Sequence, residues 1–348
     1  MNKPIFRSMV LLLILVLVIT VGACAQAPQQ IPQVPEEEVH EIRVASLMPV
    51  GHFLTDTMDL FCQRAEEMSD GRLQFIHYPS GQLMTDMEIP ENIRLGTIDM
   101  ACCYIYAWVE LVPSMVLFYG PAAPENLEHY ERYNKQYCIP VFNDLLQTKG
   151  NAQLIGNFLC TMDSGYIAST PLREPSDFQG LKIRSPSPVL DPEIEAMGGV
   201  PVLMSMADLY LGLSQGTIDG LYTFISGMAE WHLDEVAKHV IVIYPTPGDY
   251  YLVSNLDFWN ELPPDLQQIM TDAAQEAHEY SVTACLESEE EARQYLEAHG
   301  VEVYYPTGEA QEEFLSIIKK ARYDWAVWAF GQEEVDEVIG FVEATKEG

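Results

Sequence analysis

The chain has 348 residues, 48% of them hydrophobic, with 52 acidic against 18 basic side chains and a formal net charge of −34. The length past the first few dozen residues is two domains' worth and excludes a single small domain. The charge, with no basic cluster beyond the first residues, excludes a nucleic-acid partner, whose phosphates such a surface repels. Acid on solvated helix faces, as in Glu287-Ser288-Glu289-Glu290-Glu291, accounts for most of the surplus and serves solubility.

Lys3 and Arg7 precede an apolar run from Met9 to Ile19 and then Val21-Gly22-Ala23-Cys24, the three-part layout of a secretory signal. A run of about a dozen residues falls short of the roughly 20 that a membrane-spanning helix needs, so a retained span is the weaker reading. Small residues directly before a cysteine are similar to a bacterial lipobox, although Val21 stands where leucine is usual. Residues 1–23 are therefore expected to be removed as a lipoprotein signal peptide, leaving a lipid anchor on Cys24. Residues 24–39 are polar and proline-rich and read as a tether that holds a folded body near a membrane. The body retains six cysteines, Cys62, Cys102, Cys103, Cys138, Cys160 and Cys285, none with the CxxC spacing of a zinc or redox site. Export permits disulfides, and buried free thiols are the expectation.

Glu41 to Ser46 alternates and predicts a strand. Thr57 to Met68, with Met58, Phe61, Cys62, Ala65 and Met68 on one face, predicts a helix that Gly71 stops. Leu73, Phe75 and His77 then alternate with Gln74, Ile76 and Tyr78 as a second strand, completing a βαβ unit. Parallel strands joined through helices imply an α/β sheet, with ligands beyond the carboxyl ends of the strands. A helix over 88–95 ends at Gly96-Thr97-Ile98-Asp99, and one over 207–215 ends at Gly216-Thr217-Ile218-Asp219. The repeated tetrapeptide at the same helix-to-strand step suggests two similarly built lobes. A ligand between them would meet the side chains just after each copy: Tyr104 in one, Tyr222 to Phe224 in the other.

The stretch Leu181-Lys182-Ile183-Arg184 reads as a short strand ending on a cation. Arg184 offers a planar fork of donors that grips a carboxylate bidentately; a surface ion pair is the plainer alternative. Near the C-terminus, Pro264 to His299 keeps an apolar stripe without internal Gly or Pro and predicts a long helix stopped by Gly300. At 1.5 Å per residue it runs on the order of 50 Å, enough to brace both lobes.

Two catalytic or metal readings are weighed and set aside. Gly212-Leu213-Ser214-Gln215-Gly216 matches G-x-S-x-G, and Asp219 with His232 or His239 follow in hydrolase order. The nucleophile elbow needs a strand before the serine, whereas Ser214 ends a predicted helix. His232 and His239, seven apart on a predicted helix and roughly on one face, lack an adjoining third ligand. No enzyme activity, cofactor or resident metal is expected, and phosphate loops are absent.

The landmarks Ser69-Asp70-Gly71-Arg72, Tyr78-Pro79-Ser80-Gly81-Gln82-Leu83, residues 96–100, residues 178–184, residues 216–220, Tyr251-Leu252-Val253-Ser254-Asn255 and residues 262–267 stand in one order. With them the chain, from about Glu41 to Trp328, resembles the extracytoplasmic solute-binding proteins of tripartite ATP-independent periplasmic (TRAP) transporters. The resemblance implies an α/β fold of two periplasmic-binding-protein-like lobes with a cleft between them and a long bracing helix. Lobe I would be 40–162 and 252–290; lobe II would be 163–251 and 291–348. It also implies capture of a small organic acid for delivery to integral membrane permease subunits, outside the cytoplasm. Arg184 falls on the family's carboxylate-clamping arginine, Met206 on a phenylalanine that touches ligand, Tyr104 on an acidic contact of some relatives and Thr223 on a frequent asparagine. Where many relatives carry a second arginine this chain has Ser164, and where an acid is usual it has Tyr222. Either one arginine with neutral donors holds the carboxylate, or the usual acid is not the ligand. A pocket made aromatic by Tyr104, Tyr166, Tyr222 and Phe224 implies a less polar monocarboxylate. Some relatives use a bound cation, for which Asp249 is the candidate here. A solute-binding protein of an ATP-driven importer shares export, tether and lobes; the long helix and the ordered landmarks favour TRAP.

Overall fold

The computed structural model describes residues 38–119, 124 and 126–346. The expected secretory segment, Cys24 and all but the end of the expected tether lie outside the described residues. None of the described helices is long and apolar enough to cross a membrane.

β1 (His40–Ser46), α1 (Phe53–Met68) and β2 (Leu73–Tyr78) form the expected parallel βαβ unit. Helix α1 starts a turn before its apolar stripe, because the Nδ1 of His52 accepts the Leu54 N–H at 2.9 Å as an N-cap. Met58, Phe61, Cys62 and Ala65 are buried as the periodicity predicts. Helix α2 (Ile89–Leu95) closes on Gly96 at φ 69°, and β3 (Met100–Tyr104) then pairs parallel to β1. Adjacent Cys102 and Cys103 enter different cores on opposite faces of β3, and all six body cysteines are free and buried.

After α3 (Leu127–Tyr133) and α4 (Ile139–Gly150), strand β4 (Ala152–Ala168) leads into the second half. There β5 (Lys182–Ser185), α5 (Asp191–Ala196), β6 (Val200–Leu203), α6 (Leu209–Ser214) and β7 (Gly220–Phe224) repeat the parallel scheme, with β5 between β6 and β7. Gly216, at φ 67°, stops α6 as Gly96 stops α2. Next come α7 (Ile225–Glu230) and β8 (His239–Asn255). His239 thus opens a strand, and His232 sits outside any α-helix at φ 52°. The helix predicted to carry both histidines is corrected, because Val240 to Ile243 are taken into a buried ladder with β4.

The chain ends with α8 (Leu256–Glu261), the 35-residue α9 (Pro264–Ala298), β9 (Glu302–Tyr304), α10 (Glu309–Phe330) and α11 (Gln332–Ala344). The sheet runs β2-β1-β3-β8-β4-β7-β5-β6, with β9 on β8. Its centre is the antiparallel pair β4 and β8, each of 17 residues, which joins the two parallel halves. Helix α9 packs on β4, α1 and α7, and so touches both halves as its length predicted. Its buried stripe begins with Leu266, Met270, Ala274 and Ala277 as expected, whereas Tyr280, placed on that stripe, is exposed. Helix α11, assigned to the second lobe, lies against the first half instead. Phe341 stacks on Tyr137 at 4.3 Å, and the Val342 carbonyl is 2.9 Å from His129 Nε2.

Candidate functional site

Where the two parallel halves meet, the carboxyl ends of β3, β5 and β7 and the middle of β4 and β8 enclose a cavity of about 50 Å³. One enclosed water needs roughly 10–15 Å³ on that scale, so the space suits a small molecule. Arg184, Tyr104, Met206, Ser164, Thr223 and Phe224 all line it, as does Tyr222. Tyr166 does not. It is the register partner of Tyr222 across β4 and β7, and the two rings meet edge-on at 5.2 Å. Covered in this way, Tyr166 turns its hydroxyl to Glu193 Oε1 at 2.6 Å.

Arg184 is 4% exposed on β5, flanked by β6 and β7. Its Nε donates to the Met204 carbonyl at 2.9 Å and its Nη1 to the Tyr222 carbonyl at 3.0 Å. These bonds fix the plane of the guanidinium and leave Nη2 without an acceptor among the described residues. Among the described residues no carboxylate reaches Arg184 within ion-pair distance. Burial pulls its pKa down to about 10, against the opposing pull of Asp86, Tyr250 and Tyr104, so it stays charged at neutral pH. A desolvated cation without a counter-ion is costly, and an incoming carboxylate removes that cost.

The surrounding hydroxyls are neutral donors. Tyr104 packs edge-on to Tyr106 at 4.9 Å and tilts against Tyr250 at 5.7 Å; burial pushes the hydroxyls of Tyr104 and Tyr250 well above the usual tyrosine range. Tyr106 and Tyr250, both cavity-lining, escaped the sequence reading. Tyr250 was legible, since it precedes the landmark at Tyr251 and faces Tyr104 across the β3–β8 ladder. Asp86, also on the lining, had no sequence signal.

The cavity shares Leu47, Asp86 and Met206 with a neighbouring hollow that Glu230 and Trp231 line. There Glu230 Oε2 lies 3.2 Å from His52 Nε2. Because His52 Nδ1 accepts from Leu54, its proton is assigned to Nε2. Burial raises Glu230 to about 7 and lowers His52 to about 4.

Ser214 is exposed at the end of α6 and donates to the Leu211 carbonyl at 3.1 Å, while Asp219 accepts the Lys182 N–H at 2.8 Å. No nucleophile elbow is present at this serine. Asp249 is fully buried, with Oδ2 accepting from Asn134 Nδ2 at 2.8 Å, and it is not on the cavity lining. Among the described residues no cluster of His, Cys, Asp and Glu could hold a metal ion.

The fold agrees with comparisons to known proteins. Residues 44–325 match the family described as bacterial extracellular solute-binding protein, family 7. The C4-dicarboxylate-binding periplasmic protein DctP of Rhodobacter capsulatus is 29% identical over 259 residues, covering 70% of this chain and 74% of that protein. The sialic acid-binding periplasmic protein SiaP of Vibrio cholerae is 22% identical over 276 residues, covering 78% and 84%. A TRAP periplasmic solute-binding protein of Desulfovibrio salexigens with bound orotic acid superposes with a TM-score of 0.82 at 16% identity, covering 88% of this chain and 98% of that one. One from Roseobacter denitrificans with bound β-D-glucuronate gives 0.80 at 20%, covering 88% and 99%. With the two parallel halves, the cavity between them and a family match across most of its length, the chain belongs to the bacterial extracellular solute-binding proteins of family 7, TRAP-type transport receptors and not enzymes.

Proposed function

We propose that this receptor captures a small organic monocarboxylate on Arg184 and presents it to the integral membrane permease subunits of a TRAP-type secondary transporter. The observation that carries the reading is the buried Arg184 guanidinium, fixed by two backbone carbonyls and with no carboxylate partner among the described residues, on the wall of a cavity whose one other charged lining residue is Asp86. A carboxylate pairs with that cation; a second carboxylate would meet Asp86 and a ring of tyrosines. The ligands of the similar proteins, a C4-dicarboxylate, sialic acid, glucuronate and orotic acid, have a carboxylate in common.

In this reading 40–162 and 252–290 act as one lobe, joined by α11, and 163–251 with 291–330 as the other. Arg184 belongs to the second and Tyr104 to the first, so ligand contacts to both favour a closed state whose shape the permease reads. The body is held outside the cytoplasm by a lipid on Cys24, ahead of the tether.

Thermal-shift screening of the purified protein tests the reading, because a ligand stabilises the state it binds. Branched and aromatic monocarboxylates are expected to raise the melting temperature more than succinate or sialic acid. A response to succinate with none to any monocarboxylate sinks the monocarboxylate assignment, and a response to sialic acid alone, a polar monocarboxylate, sinks the expectation of a less polar acid.

A further inference from the structure

Among the described residues the cavity wall carries one cation, Arg184, and one carboxylate, Asp86. Asp86 opens a single turn of 3₁₀ helix, Asp86–Glu88, that leads into α2. Glu88 Oε2 closes this turn by accepting the Thr85 N–H and the Thr85 hydroxyl, both at 2.8 Å. The turn is thus capped without help from the Asp86 side chain, whose carboxylate has no hydrogen bond or ion pair to any described residue. Arg184 is its complement: 4% exposed, held by two carbonyls, with no carboxylate in ion-pair reach among the described residues. Two opposite charges line one space without pairing with each other.

Their placement says what can bridge them. Asp86, Leu47 and Met206 belong to the cavity and also to the neighbouring hollow, so they mark the passage from one to the other. An acid held on Arg184 runs out between Leu47 and Met206, and its far end comes to Asp86. The hollow beyond adds the Glu230 carboxyl and, among the described residues, no lysine or arginine. On the cavity side the rings of Tyr104, Tyr106 and Tyr250 line the same space, and aromatic faces attract cations. A second carboxylate at that end would meet Asp86 at like charge. A methyl group would take water from Asp86 and return no partner. An ammonium supplies both the charge and the donors that Asp86 lacks.

We propose that Asp86 is a specificity residue and that the ligand is an ω-amino acid, with its carboxylate on Arg184, its ammonium on Asp86 and a short apolar chain between them. The inference rests on the Arg184 reading and narrows it: the acid keeps one carboxylate and an apolar middle, and gains a cationic far end. Such a ligand has no net charge, as befits a wall whose two charges cancel.

The test is calorimetric titration of the full chain with isosteric pairs: 3-aminopropanoate and butanoate, 4-aminobutanoate and pentanoate, 5-aminopentanoate and hexanoate. Glutarate, with a carboxylate in place of the ammonium of 4-aminobutanoate, completes the set. In at least one pair wild type is expected to favour the amino acid by about tenfold, the factor that about 1.4 kcal/mol confers. Asp86→Asn keeps the shape of the side chain and removes its charge. It should bring that ratio below about twofold and, in the same protein, tighten glutarate. A merely structural Asp86 would move all the acids in one direction and leave the ratio alone. If Asp86→Asn does not fold, Asp86→Ser carries the same expectation. Wild type with no preference in any pair, including no binding at all, overturns the proposal, as does an unchanged ratio in the folded Asp86 variant. A ratio that collapses in Glu230→Gln and not in Asp86→Asn overturns it too. Arg184→Ala separates the two readings. Loss of both members of a pair supports the carboxylate clamp, even where wild type binds the two equally and the Asp86 proposal has failed; retained binding of both overturns the clamp.

Discussion

Glu289 Oε1, on the long helix α9, accepts the backbone N–H of Met162 at 2.7 Å, where β4 crosses from one half of the sheet to the other. The same oxygen takes the Asp163 N–H at 2.8 Å and the Thr161 hydroxyl at 2.7 Å. Thr161 lines the cavity, and the β4–β8 register shifts on both sides of it. One carboxyl thus supplies the acceptor that the bulged backbone lacks, and ties the bracing helix to the crossing strand.

Burial raises Glu289 to about 7 although its three donors oppose the shift. An acid with a raised folded pKa binds its proton in the folded state while the unfolded chain has lost it. Stability therefore falls as pH rises from about 4.5 to about 7, by up to about 3 kcal/mol, and is flat above. Glu289→Gln keeps an acceptor and should make the fall measured by urea denaturation between pH 4.5 and 8 shallower by that amount, leaving the share of Glu230, which burial also raises to about 7. Glu289→Ala strands two N–H groups and should cost about 2–4 kcal/mol. A Gln variant with the wild-type slope would show that another group titrates.

Arg184→Ala should weaken ligand binding by about 2–5 kcal/mol, because it leaves the bound carboxylate desolvated and unpaired. Arg184→Lys should recover little, since a single ammonium cannot reproduce the planar fork that spans two carbonyls and a ligand. Both variants should keep their fold: alanine removes a buried charge that has no counter-ion among the described residues, and lysine keeps a cation that can still donate to one of the two carbonyls. Calorimetric titration with the best acid from the thermal-shift screen measures this; wild-type affinity in both variants would remove Arg184 from the site.

Gly165 lies on β4 tight against β8: a Cβ there would stand 2.0 Å from the Ile241 carbonyl oxygen. The backbone of the central pair has to separate to admit it. Gly165→Ala should cost at least about 3 kcal/mol, in the range of overpacking and broken ladder bonds. Guanidinium denaturation checks it, and a loss under 1 kcal/mol would mean that the strands part easily here.

His52 is 2% exposed, and burial lowers it to about 4. A histidine with a depressed folded pKa is protonated first in the unfolded chain, so it destabilises the fold as pH drops from about 6.5 to about 4. The facing Glu230 gives no counter-charge in that window, since burial holds it protonated up to about 7. His52→Asn keeps a cap acceptor for Leu54 and removes the titration. It should be about 2–3 kcal/mol more stable than wild type near pH 4, relative to their difference at pH 7.5. Equal acid sensitivity of the two proteins would exonerate His52.

The sequence by itself determined what depends on neighbours along the chain: the βαβ repeats, the glycine stops at Gly71, Gly96 and Gly216, the long helix α9, and the lining residues at strand ends, Tyr104, Arg184 and Tyr222 to Phe224. Period and turn chemistry say which side a residue faces and where an element ends. Only the tertiary structure decided what stands across from that side. It packed the Tyr222 ring edge-on against Tyr166, drew His239 into a strand, returned α11 to the first half, and brought Arg322 and Glu289, from distant helices, to Glu193 and Met162. None of these is encoded in spacing, because each depends on how the bulged pair β4 and β8 carries one half of the sheet past the other.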